Sequence, residues 1–229
     1  WKEKIEKIYI PRDPKSKVIE QFEGYFELKE YEIKKHDENG MPLWPDDLDT
    51  DELNNTTLLK QPDLLMLMYL MPEQFTFEEM KENYDFYEKR TMHKSSLSPS
   101  IHCLLSISVH EYDHSYEYFK KTLLTDLSDN QGNSVMGIHA ASTGGAWLAA
   151  VMGFGRFYID KDDMLNFDPW LPKKWNSLSY KIIWRGNPMK IEITHEKLRI
   201  KPLNESISFK YMGKIFEATV GESKEVKVL

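Results

Sequence analysis

Five segments in the first 160 residues repeat one polarity rhythm, and that rhythm restricts the fold more than any other feature. QPDLLMLMYLM (61–71) is apolar nearly all round, whereas TFEEMKENYDFYEKR (76–90) is amphipathic, with Phe77, Met80, Tyr84 and Tyr87 on one stripe. SPSIHCLLSISV (98–109) is again mostly apolar. DHSYEYFKKTLLTDL (113–127) is amphipathic through Tyr116, Phe119 and Leu123, and AASTGGAWLAAVMGF (140–154) returns to apolar. An apolar helix must be covered all round, and an amphipathic helix covers a neighbour with one face. Strict alternation therefore predicts a double layer, with inner helices under an outer ring. An α/α barrel or toroid is the natural architecture, and a bundle or helical solenoid is its rival. Thr76 and Glu79 have the spacing of a capping box, and Ser98 with Pro99 reads as N-cap and first turn.

Near residue 160 the period changes. SLSYKIIWRG, MKIEITH, EKLRIKPL, SISFKYMG, KIFEATVG and SKEVKVL alternate as strands do. Turn signals separate them at RGNP (185–188), His195–Glu196 and Met212–Gly213. The fold class expected is α plus β in two domains: helices over 1–160, then a small antiparallel sheet or sandwich over 161–229. FDPWLPKKW (167–175) links the two with prolines and aromatics, and residues 38–57 read as a long acidic loop.

Composition excludes several function classes. Of the 229 residues, 41% are hydrophobic and 13% aromatic, enough for a sizeable core. The net charge is −7 with no basic run, so a nucleic-acid partner is not expected. The single Cys103 can form no internal disulfide, which suits a reducing compartment and a cytoplasmic location. No apolar run reaches the ~20 residues of a membrane span, and no signal peptide is visible. His102, His110 and His114 lack ligand spacing with a third partner, so no metal is expected. The phosphate-binding loop, the dinucleotide fingerprint and the nucleophile elbow are absent from the sequence, and no organic cofactor is expected.

The candidate chemistry lies just before the apolar helices. Lys60-Gln61 precede the first, Ser95-Ser96 the second, and Gly137-Ile138-His139 the third. In an α/α barrel the inner helices run parallel, so three positive dipole ends share one rim with a lysine, two hydroxyls and an imidazole. That set suits an oxyanion. The small residues of GIHAASTGGAW would leave backbone amides open to it. Each piece also has an ordinary reading: capping for the serines, a structural role for His139, a surface position for Lys60, and close packing for Gly144-Gly145.

KQPDLLMLMYLMPEQF, NYDFYEKRTMHKSSLSPSIH, GIHAASTGGAWLAAVMGFG and FDPWLPKKWNSLSYKIIWRG closely resemble the C-terminal part of the family 65 glycoside hydrolases, in order and at compatible spacing. The family contains maltose, kojibiose, nigerose, trehalose and trehalose 6-phosphate phosphorylases. The resemblance implies the second half of an (α/α)6 barrel followed by a β-sheet domain. It implies phosphorolysis with inversion, in which inorganic phosphate, the co-substrate, attacks an α-linked glucose disaccharide and yields β-glucose 1-phosphate. Carried over by position, Ser95, Ser96 and His139 match phosphate-binding residues, with Gly144 and Gly145 assisting through amides. Lys60 and Gln61 match residues beside the reacting glucosyl unit. The family's general acid glutamate lies upstream of the segment matching Trp1. The chain is therefore expected to be a fragment that is inactive alone, needs the missing N-terminal part of the same protein, and belongs to a homo-oligomer. Two rivals stand beside this reading: a hydrolase of the same family that uses water, and a non-catalytic helical scaffold with a sugar-binding sheet.

Overall fold

In the computed structural model, which describes residues 1–8, 11 and 15–228, the chain divides into two units, Trp1–Ala146 and Trp147–Leu229. The helices are α1 (Lys2–Lys7), α2 (Asp63–Leu70), α3 (Phe77–Glu88), α4 (Ser98–Ser108), α5 (Tyr112–Leu123) and α6 (Ala140–Leu148). The last is followed by π-helical turns over Ala149–Phe154.

Helix α4 is the hub of the first unit. It packs against α2, α3 and α5 and is buried at nearly every position from Ser98 to Ile107. Leu64, Leu65 and Met68 of α2, Tyr84 and Tyr87 of α3, and Leu105 of α4 meet Ile19 and Tyr25 in one core. Each such side chain contributes about 1.5–3 kcal/mol by leaving water. The tyrosine hydroxyls are satisfied inside: Tyr25 donates to the Thr57 carbonyl and Tyr87 to the Ile19 carbonyl, both at 2.5 Å. Those bonds offset the burial cost and fasten residues 19–57, which form little regular structure, to the helices. The capping box forms: Thr76 Oγ1 accepts from Glu79 N at 3.1 Å, and the Glu79 carboxylate accepts from Thr76 N at 2.9 Å. Ser98 is not the N-cap of α4. Leu97 takes that position, and Ser98 enters the helix because its hydroxyl is engaged by His93.

The apolar helices are not equally covered. α4 is enclosed as its composition predicts, but α2 leaves Leu67 and Leu70 exposed and α6 exposes Trp147. The loop before α6 adds Leu127, Val135, Met136 and Ile138, each more than four-fifths exposed.

The second unit is a sandwich. One sheet has the order β1 (Phe157–Ile159), β2 (Leu165–Phe167), β6 (Ile207–Tyr211), β7 (Lys214–Ala218). The other has β3 (Ser177–Trp184), β4 (Asn187–Thr194), β5 (Lys197–Pro202), β8 (Lys224–Lys227). All pairs are antiparallel except β2 with β6. The alternation read from sequence sets the faces: Met189, Ile191 and Ile193 point inward and stand opposite Pro202, Ile200 and Leu198. Phe167, Phe209 and Tyr211 fill the same core from the other sheet. Two hairpins close through two-residue turns with positive φ at both positions, Arg185-Gly186 (51° and 79°) and Met212-Gly213 (47° and 73°). This is the geometry whose twist matches that of the strands.

Candidate functional site

A short seam builds the first half of the site. Leu59 and Thr91 form an isolated parallel bridge, with Leu59 N donating to Arg90 O and Met92 N to Leu59 O, each at 2.7 Å. This seam sets Lys60-Gln61 alongside the chain leading to the serine pair. Ser95 Oγ donates to Gln61 Oε1 at 3.2 Å, so the structure brings these two predicted residues together. A turn follows, with Ser98 N donating to Ser95 O at 3.2 Å, and it leaves Ser95 and Ser96 half-buried ahead of α4. Lys60 is exposed and lines an apolar cleft with Trp44, Leu53, Leu58, Met92 and Lys94.

His139 sits on the other half, immediately before α6, where its carbonyl accepts from Ser142 N and Thr143 N. Asp126 holds it twice: His139 N donates to Oδ2 at 2.8 Å, and Nδ1 meets Oδ1 at 2.5 Å. The same bonds keep the Asp126 carboxyl below its usual range. With Nδ1 engaged, Nε2 is the ring nitrogen left to meet a ligand. Ser142 Oγ adds bonds to the Thr122 carbonyl and to Thr125 Oγ1, stitching the end of α5 to the start of α6. Asp126 carries no sequence signal beyond being an acid in the turn that ends the α5 segment.

Gly145 of α6 lies against Ser100 of α4. A Cβ there would lie 2.6 Å from Ser100 Oγ and 2.7 Å from Ser100 Cβ. Helix α6 therefore approaches α4 closely at this point, with the bare backbone of Gly145 against the Ser100 side chain. The contact is six residues from His139, roughly 9 Å along a helix, and five from Ser95. Both N-terminal ends lie near it. Gly144 faces open space. Both glycines fall in the second turn of α6, where amides are spent on the helix ladder, so the amides nearest an incoming anion belong to the first turn instead.

The three helix starts are not equivalent. The first turn of α2 carries Asp63, and Gln21 Oε1 accepts from Leu64 N at 3.3 Å, so part of its anion-attracting capacity is already used. The starts of α4 and α6 have no acid in their first turns. The hydroxyls of Ser95 and Ser96 beside Gln61 and the exposed Lys60, and separately the carboxylate-held imidazole of His139, are groups of the kind that bind a small oxyanion. Among the described residues no group of three or more His, Cys, Asp or Glu side chains could hold a metal. Nor, among the described residues, is any helix long and apolar enough to cross a membrane.

Comparison with known proteins gives this arrangement a context. Residues 1–148 match the glycosyl hydrolase family 65 central catalytic domain, and residues 159–218 match the glycosyl hydrolase family 65, C-terminal domain. The chain is 51% identical over 216 residues to a kojibiose phosphorylase of Caldanaerobacter subterraneus subsp. tengcongensis, covering 93% of this chain and 28% of the relative. It is 36% identical over 227 residues to an alpha,alpha-trehalose phosphorylase of Thermoanaerobacter brockii, covering 98% and 29%. A solved structure assigned as a kojibiose phosphorylase from human microbiome superposes with a TM-score of 0.86 at 31% identity, over 99% of this chain and 30% of that one. The chain thus spans less than a third of the length of these relatives.

Proposed function

The chain belongs to glycosyl hydrolase family 65, and from that premise we propose that it supplies the phosphate-binding side of an inverting disaccharide phosphorylase. The observation that supports the reading is the clipped pair: Ser95 is bonded to Gln61 across the Leu59–Thr91 seam, so the turn proposed to bind phosphate lies beside the residue proposed to contact the sugar. Phosphate would rest on Ser95, Ser96 and His139 Nε2, with Lys60 adding charge. One phosphate oxygen attacks the anomeric carbon from the face opposite the glycosidic bond. That bond breaks, and a general acid protonates the departing oxygen. The nucleophile is already anionic, so a second carboxylate base is not required.

The general acid and most of the glucose pocket come from sequence outside these 229 residues. The helices then form the second half of an (α/α)6 barrel, and the exposed side chains Leu67, Leu70, Val135, Met136 and Ile138 are covered by the rest of the catalytic domain. Kojibiose is the first substrate to test. The enzyme works in the cytoplasm without a metal or organic cofactor, where the buried Cys103, its thiol pushed up by desolvation, stays inert. In the enzyme that carries this chain, Ser95→Ala, Ser96→Ala and His139→Ala should each raise KM for phosphate at least tenfold. Unchanged phosphate KM in all three would remove the reading.

A further inference from the structure

Behind the serine turn lies a buried polar chain that the proposed reaction does not use. His93 is 1% exposed, Ser98 is fully buried and Tyr118 is 5% exposed. His93 Nδ1 lies 2.8 Å from Ser98 Oγ, His93 Nε2 lies 3.0 Å from the Tyr118 hydroxyl, and that hydroxyl donates to Glu88 Oε1 at 3.0 Å. The direction of every bond follows. The Tyr118 proton goes to the carboxylate, so its oxygen accepts from Nε2–H. A neutral imidazole with Nε2 protonated must accept at Nδ1, so Ser98 Oγ donates to it. Burial holds the ring in that neutral form.

The backbone at His93 is equally constrained. Its φ is 49°, in the left-handed region that a non-glycine residue rarely takes. Its carbonyl accepts from Gln131 Nε2 at 3.3 Å. The left-handed step sends the imidazole into the core and turns the following residues outward, and those residues are Lys94, Ser95 and Ser96. The side chain on one side of the turn and Ser98 on the other are joined directly, so the bond spans the loop that carries the phosphate ligands.

We propose that His93 is a positioning residue for the Ser95-Ser96 turn, acting through the relay Ser98–His93–Tyr118–Glu88. The proposal rests on the phosphorylase reading for its kinetic consequence and on the structure alone for its conformational one. The variants are His93→Phe, which fills the space without the bonds, and His93→Asn, whose amide oxygen can still accept from Ser98. In the complete enzyme, His93→Phe should raise KM for phosphate at least tenfold and leave KM for the disaccharide within twofold, and His93→Asn should recover most of the loss. Hydrogen exchange on the 229-residue chain should show amides 94–97 exchanging at least tenfold faster in His93→Phe, with amides 102–107 of α4 unchanged. A phosphate KM within twofold of the parent, or two Michaelis constants rising together, overturns the proposal. If the parent enzyme shows no phosphate-dependent turnover, the functional reading fails. Exchange then decides the positioning claim, and an unchanged turn overturns it.

Discussion

Two adjacent glycines should respond to the same substitution with opposite signs. At Gly145 an added Cβ meets Ser100 Oγ at 2.6 Å and Ser100 Cβ at 2.7 Å, against roughly 3.5–4 Å for ordinary carbon contacts. The hydroxyl can rotate away, but the Cβ cannot, so α4 and α6 must separate by roughly 1 Å. Overpacking of this kind costs about 1–3 kcal/mol, and the better helix propensity of alanine offsets about 1 kcal/mol of it. Gly145→Ala is therefore expected to destabilise by up to about 2 kcal/mol. Gly144 has nothing within 4 Å of the same added atom, so Gly144→Ala keeps only the propensity gain, about 0.5–1 kcal/mol. The two variants should differ by about 2 kcal/mol, or roughly 1 M in urea midpoint, followed by circular dichroism at 222 nm. Ser100→Gly added to Gly145→Ala should recover most of the loss. Two single variants that move in the same direction by similar amounts would refute the α4–α6 contact.

His102 is buried, donates from Nδ1 to Ser98 O at 3.2 Å, and has its pKa pushed down by burial to about 3. The unfolded chain takes up that proton near pH 6.5, so stability is expected to fall as pH drops from about 6.5 toward 3. His102→Gln should flatten the slope of the unfolding midpoint in that range. Asp160 is held below the usual carboxylate range first by Lys210 at 2.6 Å, then by Asn166 and backbone amides. Its contribution is present above about pH 4 and lost below it, and Asp160→Asn should remove that acid sensitivity from the β unit. Asp126→Ala should loosen His139 and raise the complete enzyme's KM for phosphate about tenfold, with little change in KM for the sugar. The isolated 229-residue chain should self-associate in sedimentation velocity, and Val135→Ser with Met136→Ser and Ile138→Ser should reduce that association.

The strands were legible where alternation and turn chemistry agreed. β3 to β8 all fall on runs of alternating residues, with β4 starting two residues early, at Asn187 inside the RGNP turn signal, and Arg185-Gly186 and Met212-Gly213 supply the φ > 0 their hairpins need. β1 and β2 were not legible, because three residues give no period and β2 joins the sheet through β6, about forty residues away. The helices were legible from their stripes, yet the start of α4 was not. Ser98 looks like a cap until His93 is found against it. The site shows the same division. Ser95, Ser96 and His139 announce themselves as polar residues before apolar helices. The Leu59–Thr91 seam and the Asp126 clamp are long-range pairings that no local pattern encodes, and Gly145 reads as a helix weakness until Ser100 is placed beside it.

The most direct test is turnover by the complete enzyme on kojibiose with and without inorganic phosphate, with the anomeric form of the product resolved by NMR. The account predicts β-glucose 1-phosphate, formed only when phosphate is present and at a rate that saturates with it. Release of free glucose at the same rate in phosphate-free buffer would contradict it, and Ser95, Ser96 and His139 would then have to be read as parts of a hydrolytic site.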